Sequence, residues 1–195
     1  GPFPGLSMVE GLDSSFDALL LVGYHGMSGS IDGLLNHTMS GSLISEILVN
    51  GQRIGEIGLS AMVAGALGIP TVFLSGDSAA VSEALSLIHG IRVVCTKKSL
   101  GEYLAVCYHP YEVHRKIQSA VTEALRPPLQ AQPFRIRTPV EVQVRFKSTG
   151  MADQAMKMGN VTRNDGFSVS VSAPNPIEAY RQINTMITLA STAPR

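Results

Sequence analysis

Apolar residues fall into short runs separated by glycine, proline and polar turns, and the period of the runs changes along the chain. Residues 18–22 are a continuous apolar run of strand length and read as a buried strand, 71–74 read as the next strand, and 91–95 as a third of buried type. Between them, 56–67 and 77–89 predict helices. The small residues Ala61, Ala64, Gly65 and Ala66 suit close packing on a sheet. Gly68 stands where a helix end favours positive φ, and Pro70 blocks continuation. Asp77 reads as the N-cap of the second helix. Strand and helix alternate through this stretch, which predicts a parallel sheet with crossover helices. Asn50-Gly51, between apolar runs at 46–49 and 52–54, predicts a tight hairpin, because both residues tolerate positive φ.

Residues 99–110 follow no clear period. Over 111–125, Val113, Ile117, Val121 and Ala124 form one helical stripe. Pro127-Pro128 through Pro133 is the best boundary. Beyond it, 140–146 and 167–171 alternate apolar with polar, as half-buried strands do. A short helix near 151–158 separates them, its methionines reading as core filler. Asn175, Pro176 and Glu178 mark a helix start, with Ile177, Tyr180, Ile183 and Ile187 on its apolar face. The expected fold is α/β: a mostly parallel sheet flanked by helices, with a smaller C-terminal α+β domain. The expected division is 1–127, carrying the site, and 128–195.

Composition narrows the function. The chain has 195 residues, 45% hydrophobic and 15% charged, enough apolar content for a core. Its 15 basic and 15 acidic residues cancel. No basic run exceeds Lys97-Lys98, which argues against nucleic acid as a partner. Low charge is compatible with association, so a homo-oligomer is expected. Cys95 and Cys107 form no C-x-x-C pair and read as reduced, packed thiols of a cytoplasmic protein. No apolar run approaches the ~20 residues of a membrane helix. The glycines from Gly23 to Gly29 are followed by no lysine, which disfavours a phosphate-cradling loop.

The candidate chemistry lies between Leu19 and Leu59. His25 follows the first strand, and ligand sites of open α/β sheets lie beyond the carboxyl ends of strands. His37 lies in a loop rich in glycine and serine. Glu56 falls in the first turn of a helix. Taken singly, each has a plainer reading: a strand-end histidine bonded to backbone, an exposed loop histidine, and a carboxylate favoured by the helix dipole. Together they make two imidazoles and one carboxylate, a minimal set for a metal-assisted hydrolase. Asp77 also follows a strand end, and capping is its first reading. His89, His109 and His114 read as surface residues.

Several short segments occur in a definite order: Ser7-Met8-Val9-Glu10-Gly11-Leu12, Gly23-Tyr24-His25, Asn36-His37-Thr38-Met39, Gly55-Glu56-Ile57-Gly58-Leu59, and Pro176-Ile177-Glu178-Ala179-Tyr180. In this order and spacing they resemble the D-aminopeptidase family of zinc metallopeptidases, over nearly the whole chain. The resemblance implies two zinc ions in a complete site and release of N-terminal D-amino acids from short peptides. It implies zinc ligation by His25 and Glu56, and a catalytic, non-ligating role for His37. The family pattern also contains Asp-x-Glu-Gly and Asn-Asp-Ser-His segments that supply further ligands. Neither occurs here, and about the first third of a family member would precede Gly1. Two functions are therefore expected of such a chain. One is a zinc aminopeptidase, with a companion chain as a source of the other ligands. The other is a non-catalytic subunit or fragment of the same fold, acting in assembly or ligand binding.

Overall fold

The computed structural model describes residues 5–194. A parallel core is built from β1 (Leu19–Tyr24), β4 (Thr71–Asp77) and β5 (Arg92–Gly101), with β6 (Leu104–Cys107) returning antiparallel to β5. Strand order is β1-β4-β5-β6. Helices cover both faces. On one side Leu21 and Leu74 meet Ile57 and Ala61 of α1 (Glu56–Ala66) and Ala80 and Ala84 of α2 (Ser78–Leu87). On the other, Phe73, Val72 and Val94 meet Ala124, Ile117 and Val121 of α3 (Pro110–Ala124). Neighbouring residues such as Phe73 and Leu74 thus enter opposite cores, as pleating requires.

A second, wholly antiparallel sheet has the order β3-β2-β7-β9-β8, from β2 (Ile44–Val49), β3 (Gln52–Arg53), β7 (Val140–Phe146), β8 (Thr162–Arg163) and β9 (Ser168–Ala173). Val140, Val142, Val144 and Phe146 are buried, and Glu141 is exposed between them. The buried face packs on α5 (Pro176–Ala190), on α4 (Thr149–Ala155) with its following 3-10 turn, and on Leu59, Met62 and Val63 of α1. Met151, Met156 and Met158 pack against this core, as filler should.

α1 therefore lies between the two cores. Every residue from Glu56 to Gly65 is buried, which explains a helix that is apolar nearly all round. Its small residues permit close approach: a Cβ on Gly65 would run into the backbone carbonyl of Phe134.

Caps and turns follow local chemistry. Asp77 accepts Ala80 N–H at 2.7 Å, and Asn175 accepts Glu178 N–H at 2.9 Å. Asn50 (φ 49°) and Gly51 (φ 79°) turn β2 into β3, and Gly68 (φ 82°) follows α1.

Two readings change. β1 is an edge strand and not buried throughout: Val22 is 68% exposed. Cys107 is exposed, so only Cys95 is even partly packed. Of the residues without visible period, 99–107 form the tip of the β5–β6 hairpin and its return strand, and 108–110 lead into α3. The β2–β3 hairpin comes from the 1–127 segment, yet it pairs with β7 in the second sheet.

Candidate metal centre

The site forms where β1 ends. Tyr24 pairs with Gly76, so His25 emerges at the carboxyl edge of the parallel strands, beside Asp77. The loop that follows crosses this edge before entering β2. Polar contacts hold much of it. Ser28 N–H donates to Thr38 Oγ1 at 3.0 Å, Gly29 N–H to Asn36 Oδ1 at 2.9 Å, and Leu35 N–H to the Glu102 carbonyl at 2.7 Å. Two buried carboxylates of the β4–α2 segment hold it from below. Asp77 Oδ2 accepts Leu34 N–H at 2.8 Å, and Glu83 Oε2 accepts Met27 N–H at 2.9 Å. Asp77 is thus the cap expected of it and also an anchor for the loop.

His37 sits between two residues in the left-handed region, Leu35 (φ 51°) and Met39 (φ 61°). Such conformations on non-glycine residues cost on the order of 1 kcal/mol each and persist only where the surroundings enforce them. Here the reward is geometric. The two imidazoles stack, with ring centroids 4.1 Å apart and planes 23° apart. His25 Nδ1 lies 3.0 Å from the Gly26 carbonyl, and His37 Nδ1 lies 2.7 Å from the Leu35 carbonyl. A carbonyl only accepts, so each ring carries a proton on Nδ1 in these bonds.

Glu56 opens α1. The Asn50-Gly51 hairpin returns the chain to this point, and Gly55 caps the helix without a side chain. Oε1 of Glu56 accepts Met39 N–H at 2.7 Å and lies 3.4 Å from His37 Nε2. One potential ligand atom from each of His25, His37 and Glu56 lies within 4.8 Å of the others. Donors about 2.1 Å from a tetrahedral ion stand about 3.4 Å apart, so a zinc ion needs the set to close by up to roughly an ångström. Imidazole nitrogens backed by carbonyls, with a carboxylate, are the donor set that zinc takes.

Sequence reasoning overlooked the residues around Glu56. Tyr24 OH lies 3.4 Å from Ser60 Oγ, and Tyr180 OH donates to Met39 Sδ at 3.9 Å. Burial pushes both phenols above their ordinary range, and the Glu56 carboxylate adds to the push. Tyr180 stands in the sequence as part of an apolar helix face and of the segment 176–180, with no sign of a place at the site. Its approach to the site from α5 is tertiary. A cavity of about 480 Å³ opens beside His37, lined also by Asn36, Glu102, Tyr103 and Lys147. The hairpin tip that forms one wall carried no signal in the sequence.

The family model described as D-aminopeptidase matches residues 1–185. The chain belongs to this family. D-aminopeptidase from Bacillus subtilis (strain 168) is 29% identical over 191 residues, which is 97% of this chain and 69% of that protein. A solved structure, the Zn-dependent D-aminopeptidase DppA from Bacillus subtilis, described as a self-compartmentalizing protease, superimposes with a TM-score of 0.94 at 28% identity. That similarity covers 100% of this chain and 71% of the other. The α/β fold with its second antiparallel sheet is thus a D-aminopeptidase fold. Among the described residues, no helix is long and apolar enough to cross a membrane.

Proposed function

We propose that the chain is a zinc-dependent aminopeptidase that releases N-terminal amino acids, D-configured ones by its family, from short peptides. The observation that carries this reading is the convergence of His25, His37 and Glu56 beyond the end of β1, with each Nδ1 held by a backbone carbonyl. His25 and Glu56 are the proposed zinc ligands. Gly26 orients the His25 ring through Nδ1, and Met39 N–H steadies the Glu56 carboxylate. Zinc, when bound, activates a water and polarises the scissile carbonyl. His37 is the proposed catalytic residue. Its Nε2 borders Glu56 and its ring lines the adjacent cavity, so it can take a proton from the attacking water and return it to the leaving amine. A cavity of about 480 Å³ suits a short peptide and not a folded chain.

Assembly of identical copies fits the low charge of the chain and the self-compartmentalizing description of its relative. Two free cysteines fit a reducing, cytoplasmic setting.

A second reading has its own support. His25, His37 and Glu56 supply three donors, enough for one zinc and too few for two. A chain with this set is also consistent with a non-catalytic subunit, or with a companion chain that supplies further ligands at the exposed β1 edge.

Metal content by plasma emission spectrometry, on protein purified without chelators, separates these readings when paired with an assay on D-alanyl dipeptides. One zinc per chain with release of D-alanine points to a peptidase whose site is His25, His37 and Glu56, with His37 as a ligand and a changed mechanism. Two zincs per chain point to ligands from another chain. No zinc after zinc addition, with no hydrolysis, overturns the peptidase reading.

A further inference from the structure

We propose that Glu83 is a positioning residue: its buried carboxylate fastens the start of the histidine-bearing loop to the N-terminus of the helix that carries Glu56. This rests on the reading of His25, His37 and Glu56 as the reacting centre.

Glu83 lies within α2 and is 7% exposed. None of the ion pairs among the described residues includes it. The nearest cations on the same cavity wall are Arg53 and Lys98, and Arg53 is engaged with Glu46 at 2.9 Å. Glu56 and Asp77 face it with charge of the same sign. Burial in such surroundings is unfavourable for a carboxylate, and it pushes the Glu83 carboxyl up to about 7. A leucine or methionine would pack at this position without that cost.

What the carboxylate supplies is a junction. Oε2 accepts the N–H of Met27, two residues beyond His25. Oε1 faces the backbone of Gly55, the residue before Glu56, whose N–H steadies the carboxylate without completing a hydrogen bond. A Cβ at Gly55 would run into that oxygen and would stand 2.6 Å from Met27 Cβ. Three segments therefore meet at one point: the histidine loop at Met27, the α1 N-cap at Gly55, and α2 at Glu83. On this side the loop runs along a cavity of about 720 Å³, lined by Met27, Gly29, Ser30 and Arg53. Packing alone does not hold it there. The Met27 hydrogen bond fixes where the His25 ring stands relative to the Glu56 carboxylate.

The test compares Glu83→Met, which keeps the volume and removes the acceptor, with Glu83→Gln, which keeps both. The imidazole ring signals of all five histidines are followed by NMR in metal-free protein, and zinc affinity is measured by competition with a chromophoric chelator. Exposed His89, His109 and His114 serve as internal controls. In Glu83→Met, the His25 and His37 signals should move while the controls stay, and zinc should bind about 10–100-fold more weakly, the usual effect of losing support behind a ligand. Glu83→Gln should restore the wild-type signals and bind zinc within about twofold. Unmoved His25 and His37 signals in Glu83→Met overturn the inference. So does a Glu83→Gln protein as impaired as Glu83→Met. A Glu83→Met protein that does not fold makes Glu83 a core residue and overturns it as well. Wild-type protein that binds no zinc would count against the metal-site reading alone, because the ring signals test the positioning without metal.

Discussion

His25 and His37 stand face to face, centroids 4.1 Å apart, although one ends a strand and the other lies twelve residues on in a loop. The stack fixes both rings while each Nδ1 is tied to a carbonyl of its own loop. One ligand atom of each ring thereby comes within 4.8 Å of the other and of a Glu56 carboxylate oxygen.

The division of labour within the cluster is testable by substitution. His25→Ala and Glu56→Ala should each lower bound zinc at least tenfold, as losing one of few ligands does. His37→Ala should keep its zinc and lose roughly 100-fold or more in kcat, the range of a lost proton-transfer group. Metal analysis and steady-state kinetics on the same preparations read both effects. Loss of zinc from His37→Ala would make His37 a ligand.

Asp77 serves the helix and the loop at once. Its Oδ1 caps α2 through Ala80, and its Oδ2 takes Leu34 N–H and the Ser99 hydroxyl. Asp77→Ala leaves Ala80 N–H and the Ser99 hydroxyl without this acceptor in a buried site, while Leu34 N–H keeps Ser99 Oγ at 3.1 Å. It should cost roughly 2–4 kcal/mol in a urea melt, from a lost cap and an unsatisfied amide.

Glu83 makes stability fall as pH rises. Its carboxyl is raised from an ordinary 4.5 to about 7, so the folded chain holds that proton more tightly than the unfolded one. The resulting stabilisation is complete below about pH 4.5 and is lost as pH passes through about 7. Relative to Glu83→Gln, which does not titrate, the wild type should lose on the order of 3 kcal/mol between pH 4.5 and pH 8. Paired urea melts across that range give the difference, and a constant difference would contradict the assignment.

Close approach at α1 predicts a steric penalty. A Cβ on Gly65 would collide with the Phe134 carbonyl, whose neighbours are backbone and cannot rotate aside. Gly65→Ala should lower stability by about 1–3 kcal/mol despite the better helix propensity of alanine, and thermal unfolding should show it.

Local physics determined much of this protein from sequence alone. The period of apolar residues located β7 and α3, because one buried face imposes alternation on a strand and a stripe on a helix. Asp77, Asn175 and the Asn50-Gly51 turn were legible because caps and tight turns are made within a few residues. His25, His37 and Glu56 were legible as residue types near a strand end and a helix start, and as parts of ordered segments. Their convergence was not, since it depends on how the loop crosses the sheet edge. Tertiary structure also decided the partner of the β2–β3 hairpin, the exposed edge of β1, and the approach of Tyr180 and Glu83 to the site. Each of these joins residues distant in the chain. Such contacts form only when two cores close around α1, and a short window of sequence holds no trace of its distant neighbour.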